Sequence, residues 1–84
     1  MTEQEIRPKL IEIFKEVAKL DENAFLQGQP LAGLVDSLTL LEIICQVEDT
    51  FGLEIEDEKI PELKTFDHVV EGVAHLLAQK QAGA

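Results

Sequence analysis

The sequence predicts a small all-α protein: three main helices, one short helical segment before the last of them, and a long first loop. Apolar residues recur at helical spacing in three separate stretches. No stretch alternates with period two for long enough to form a convincing strand. Gly28, Pro30, Gly33, Gly52 and Pro61 punctuate the gaps between the stretches. The chain has 84 residues, 45% apolar and 29% charged, which suits one globular domain built on a single core. That domain is expected over residues 1–80, with 81–84 as a flexible tail.

The first helix is read from Ile6, Leu10, Ile13, Phe14 and Val17, with Leu20 closing the series. Their spacing puts them on one face, with lysines and glutamates on the other. Thr2 and Glu5 fit a capping box. Pro8 lacks the N–H that an interior turn needs, so the helix is expected to begin near Glu5 and to end around Leu20. The loop Ala24–Val35 follows, long for so small a domain, with Phe25, Leu26, Leu31 and Leu34 as its anchors. From Asp36-Ser37 to about Phe51 the chain reads as the second main helix, ended by Gly52 in the left-handed conformation. Glu54 to Glu62 is acidic and interrupted by Pro61, so it holds only a short helical turn. Thr65 caps the last helix, with Asp67 in its first turn and Phe66, Val69, Val70, Val73 and Leu77 as its inner stripe. Gly72 costs that helix about 1 kcal/mol relative to alanine unless something compensates.

The second main helix has more apolar surface than a three-helix core uses. On a wheel of about 100° per residue, Leu40, Ile44, Val47 and Phe51 cluster within roughly 40°, flanked by Ile43. A second group, Leu38, Leu41, Cys45, Glu48 and Asp49, spans roughly 80° to 180°, with Glu42 just beyond. Apolar groups rimmed by charge mark an interaction surface if left uncovered; the ordinary alternative is that the long loop or the short third helix covers them.

Ser37 stands at the start of this surplus face. Its ordinary reading is an N-cap. A phosphate ester on the same hydroxyl would place an anion where free N–H groups and the helix dipole stabilise it, with Asp36 beside it to orient a metal or base on a transferring enzyme.

The run Asp36-Ser37-Leu38-Thr39-Leu40-Leu41-Glu42 resembles the attachment motif of acyl carrier proteins. The resemblance continues through Glu48-Asp49-Thr50-Phe51-Gly52, Leu53-Glu54-Ile55 and Leu63-Lys64-Thr65-Phe66, and so covers most of the chain. It implies that Ser37 carries 4′-phosphopantetheine, taken from coenzyme A, whose thiol holds an acyl group as a thioester. Asp36 and Leu38 would flank that attachment point, Asp36 assisting the transferase. Leu38, Leu41, Glu42, Cys45, Glu48 and Asp49 would form the partner-binding face. Leu40, Ile43, Ile44, Val47, Phe51, Ile55 and Leu63 would line an interior able to shelter the acyl chain. The implied partners are a phosphopantetheinyl transferase and acyl-transfer, condensing and reducing enzymes with basic docking patches, and the chain is expected to be a monomer. Leu31-Ala32-Gly33-Leu34-Val35 replaces the Asp-Leu-Gly segment that many members carry before the motif, and Thr39 stands at an often acidic position. These departures, with the apolar Leu41 and Cys45 and with Pro61, point to a specialised carrier with its own partners, while the resemblance itself implies a free-standing carrier in fatty-acid, polyketide or related lipid synthesis. An aminoacyl or peptidyl carrier, or a cofactor-free acidic helical adaptor, are the alternatives.

Charge and composition bound the rest. Seventeen acidic against seven basic side chains give a net charge of −10, which disfavours nucleic acid and favours partners with basic patches. One cysteine excludes an internal disulfide. The acidic first residues are unlike a signal peptide, no apolar run is long enough for a membrane span, and a cytoplasmic location is expected. Cys45 has no cationic residue placed to activate it. His68 and His75, about two turns apart on one helix, cannot share a metal without further ligands. Glu54, Glu56, Asp57 and Glu58 lack calcium-loop spacing. Ser37 has neither a nucleophile elbow nor a glycine-rich oxyanion loop around it, so no catalytic residue, metal site or enzymatic activity is expected.

Overall fold

The computed structural model describes residues 2–82. Among these the secondary structure is entirely helical: α1 (Glu3–Val17), the single-turn α2 (Glu22–Phe25), a 3-10 turn at Leu31–Gly33, α3 (Ser37–Phe51), a 3-10 helix at Asp57–Glu62, and α4 (Phe66–Ala82). The predicted second main helix is thus α3 and the last is α4. The α4 helix includes Gln81 and Ala82, where the sequence suggested a tail; Gly83 and Ala84 lie outside the described residues.

The α1 helix begins at Glu3 rather than near Glu5, and it accommodates Pro8. Pro8 removes one intrahelical bond, the one to the carbonyl of the exposed Gln4, which water can reach. The capping box does not form. Thr2 makes no side-chain cap bond, and its carbonyl instead accepts the N–H groups of Glu5 and Ile6, both at 3.0 Å. The helix also stops earlier than Leu20, at Val17, because Lys19 turns into the left-handed region at φ 58°. Leu20 still packs against the core from beyond the helix end.

The long loop is held by the apolar anchors read from the sequence and overlaps a single helical turn at its start. Asp21 caps α2, accepting the Asn23 N–H at 3.2 Å, and the loop then buries Phe25 and Leu31 fully, with Leu26 and Leu34 partly buried. Phe25 meets Phe14 of α1 and Phe66 of α4, and all three ring pairs have centroids 5.1 Å apart. Such aromatic pairs add about 0.5–1.5 kcal/mol each beyond area burial, so this triangle binds the loop to two main helices. The Leu31 N–H donates to the Lys64 carbonyl at 2.8 Å, tying the loop to the segment ahead of α4.

The core otherwise comes from the inner stripes read in the sequence. α1 supplies Ile6, Leu10, Ile13 and Phe14; α3 supplies Ile43, Ile44, Val47 and Phe51; α4 supplies Phe66, Val69, Val70, Val73 and Leu77. Thr65 caps α4 by accepting the His68 N–H at 3.3 Å. Gly52 ends α3 at φ 64°, and its carbonyl accepts from the Lys80 ammonium, which joins the far ends of α3 and α4.

Candidate functional site

The α3 N-terminus is built from a division of labour between two adjacent residues. Asp36, not Ser37, is the N-cap: its carboxylate accepts the Thr39 N–H at 2.7 Å, and its carbonyl accepts the Leu40 N–H at 3.0 Å. Hydrogen bonding from Thr39 holds the Asp36 carboxyl below the usual carboxylate range, so it is ionised at neutral pH. Ser37 occupies the first helical position and is exposed, and among the described residues its hydroxyl has no hydrogen-bond partner. The N–H groups of Ser37 and Leu38 likewise have no partner there. An uncommitted hydroxyl therefore stands at the positive end of a 15-residue helix beside two open donors. A phosphodiester on that oxygen fits this position: solvent gives it room, and the open donors suit its charge.

The preceding turn fixes where this end of the helix points. Leu31 is buried, and its carbonyl accepts the N–H groups of Leu34 and Val35 at 2.9 and 3.0 Å. Asp36-Ser37 thus follows directly on an anchored turn.

The surplus face is uncovered. Leu38 is 67% exposed and Leu41 47%, and they are the large hydrophobic residues that stand out of the core. Cys45 is an exposed free thiol, and Glu42 and Asp49 are exposed around it. Glu48 differs. It is half-buried, and its carboxylate accepts the Ile55 N–H at 2.8 Å, so it holds the turn that follows α3.

Open space lies elsewhere than the resemblance implies: a shallow hollow of about 450 Å³ is bordered by Gly52, Leu53, Glu54, Leu76, Gln79 and Lys80. A cleft of about 310 Å³ runs between the Asp57–Glu62 3-10 helix and α4, with Ile55, Leu63, Val69, Gly72, Val73 and Leu76 on its apolar walls. Of the seven interior residues expected around an acyl chain, only Ile55 and Leu63 line it, and no residue of α3 does. The α3 members Ile43, Ile44, Val47 and Phe51 are instead packed in the core. The one signal for this cleft in the sequence is Gly72, a glycine inside a helix.

The remaining candidates form no second site. His68 and His75 are exposed on α4, and His68 Nδ1 accepts the Lys64 N–H at 3.3 Å. Glu54, Glu56, Asp57 and Glu58 are exposed. Among the described residues, no group of three His, Cys, Asp or Glu side chains is placed to hold a metal ion, and no helix is long and apolar enough to cross a membrane.

Known proteins resemble this chain over most of its length. Residues 8–73 match the family profile described as the phosphopantetheine attachment site. An acyl carrier protein homolog of Mycoplasma genitalium is 39% identical over 74 residues, covering 79% of this chain and 86% of that protein. The acyl carrier protein of Thermobifida fusca is 33% identical over 75 residues, covering 82% and 90%. A meromycolate extension acyl carrier protein of Mycolicibacterium smegmatis is 35% identical over 75 residues, covering 82% and 72%. The helical fold, the family match and these relatives agree: the chain belongs to the acyl carrier protein family, a family of carriers rather than catalysts, and its cofactor is covalently attached 4′-phosphopantetheine.

Proposed function

We propose that the protein is a free-standing carrier that holds acyl intermediates as thioesters on a phosphopantetheine arm attached to Ser37, and hands them between separate lipid-building enzymes. The observation that carries this reading is the free Ser37 hydroxyl. Asp36 provides the N-cap and Ser37 follows it in the first helical position, which leaves the Ser37 oxygen available for esterification. The arm supplies a terminal thiol, and the protein supplies its anchorage and address. Leu38, Leu41 and Cys45 give short-range affinity for partners, while Glu42 and Asp49 steer basic surfaces toward the α3 N-terminus. Glu48 contributes to that face mainly by fixing the turn at its far end. The meromycolate extension carrier among the relatives supports cargo of the fatty-acyl kind.

Incubation with coenzyme A and a broad-specificity phosphopantetheinyl transferase, followed by intact-mass measurement, tests the reading. The wild type gains one phosphopantetheine, and Ser37→Ala gains none. A folded wild type with unchanged mass would mean a cofactor-free adaptor instead.

A further inference from the structure

We propose that Glu48 couples docking on α3 to the segment that follows it: an enzyme that offers a guanidinium to this carboxylate frees the Ile55 N–H and loosens residues 53–62. The inference rests on the carrier reading above and adds a conformational step to it. Glu48 serves two structures at once. It shares the surplus face of α3 with Leu41 and Cys45, which precede it by seven and three residues. It also holds the chain beyond the helix. Its carbonyl accepts the N–H groups of Gly52 and Leu53, the latter at 3.2 Å, and its Oε2 accepts the Ile55 N–H at 2.8 Å. Among the described residues Oε1 accepts no hydrogen bond, and no cation of this chain pairs with the carboxylate. A half-buried carboxylate on a docking face is thus engaged through one oxygen only.

That arrangement selects the partner's chemistry. A guanidinium presents parallel N–H donors and binds both oxygens of a carboxylate, whereas an ammonium acts as a point charge that Oε1 alone can satisfy. Only the guanidinium competes directly with the Ile55 N–H for Oε2. The competition has consequences because Ile55 is 7% exposed, and its N–H has no second acceptor among the described residues. A buried N–H without a partner is costly, so the chain around it moves until water reaches the amide. The segment is built to move. The Asp57–Glu62 3-10 helix has no buried residue and rests on the core through the partly buried Ile60, between Ile55 and Leu63. Self-repulsion among Glu54, Glu56, Asp57 and Glu58 favours its release.

Amide hydrogen exchange at Ile55 reads the bond, with the unmodified protein and a broad-specificity phosphopantetheinyl transferase, coenzyme A withheld, as the probe. Docking itself is followed at the methyl groups of Leu38 and Leu41. In the free wild type the Ile55 amide exchanges slowly. Saturating transferase speeds it at least about tenfold, while Ile43 and Val47 on the core face of α3 stay protected. Glu48→Ala exchanges that fast at Ile55 when free, and transferase adds nothing. Glu48→Gln keeps an acceptor for the Ile55 N–H but offers a guanidinium no charge, so its exchange stays slow with and without saturating transferase. Unchanged or slowed exchange at Ile55 in a bound wild type, or equal acceleration in Glu48→Gln, would overturn the proposal. A folded wild type that the transferase neither binds nor loads once coenzyme A is added would overturn the carrier reading, and this inference with it.

Discussion

Asp36 and Ser37 show how one residue's structural duty releases its neighbour. The aspartate satisfies a first-turn donor of α3 and carries a charge held on it by Thr39. Its folded pKa lies below the unfolded value, so its contribution to stability is fully present above about pH 3.9 and disappears as pH falls through the lower folded value. Asp36→Ala therefore melts a few degrees below wild type at neutral pH, and the gap closes in acid; pH-resolved thermal melts of both proteins check this. Asp36→Asn keeps most of the neutral-pH stability, since asparagine caps nearly as well. Lys19 presents the opposite case, a side chain in a conformation that suits glycine, at φ 58° after α1. Lys19→Gly is expected to add about 0.5–1 kcal/mol, read as a higher denaturation midpoint at unchanged slope.

At the scale of elements, α3 serves two surfaces, and both are legible from the wheel because helical spacing fixes which residues share a face. Ile43, Ile44, Val47 and Phe51 enter the core, while Leu38, Leu41 and Cys45 remain outside. What the wheel cannot specify is coverage, since only the path of the loop decides whether the second face meets solvent. Leu41→Ala separates the two roles. It changes stability by no more than about 0.5 kcal/mol, because the residue is half-exposed, while the KM of a partner enzyme for the carrier rises about five- to tenfold. Steady-state kinetics beside a melting curve measures both. Helix ends are less legible in the sequence than helix faces. Pro8 argued for a later start of α1, yet the helix tolerates one missing bond at an exposed carbonyl. Ser37 looked like the cap because serine and aspartate compete for that place, and the choice rests on backbone geometry at Asp36 that no pattern encodes. The cleft beside Gly72 depends on where the 3-10 helix lies against α4, which is a tertiary fact; the sequence offers only a glycine inside a helix.

The whole molecule is a small core carrying a large negative charge. Residue types and spacing made the all-α architecture legible, since the three main stripes and the loop anchors Phe25 and Leu31 all reach the interior. The charge works against compactness. Seventeen acidic groups face seven basic ones, and Glu54, Glu56, Asp57 and Glu58 crowd an exposed segment that contributes little to the core. Self-repulsion should make the unmodified protein least stable at low ionic strength. Raising salt to about 0.15 M, where the screening length is about 8 Å, is expected to raise the melting temperature by several degrees, and magnesium should do so at lower concentration. A melting temperature indifferent to both would contradict this account of the charge.

The most direct measurement is site-resolved mass spectrometry of the protein purified from its own cells. The account predicts phosphopantetheine, free or acylated, on the peptide containing Ser37 and on that serine alone. A folded protein whose Ser37 is unmodified, or whose modification sits on another residue, would contradict it.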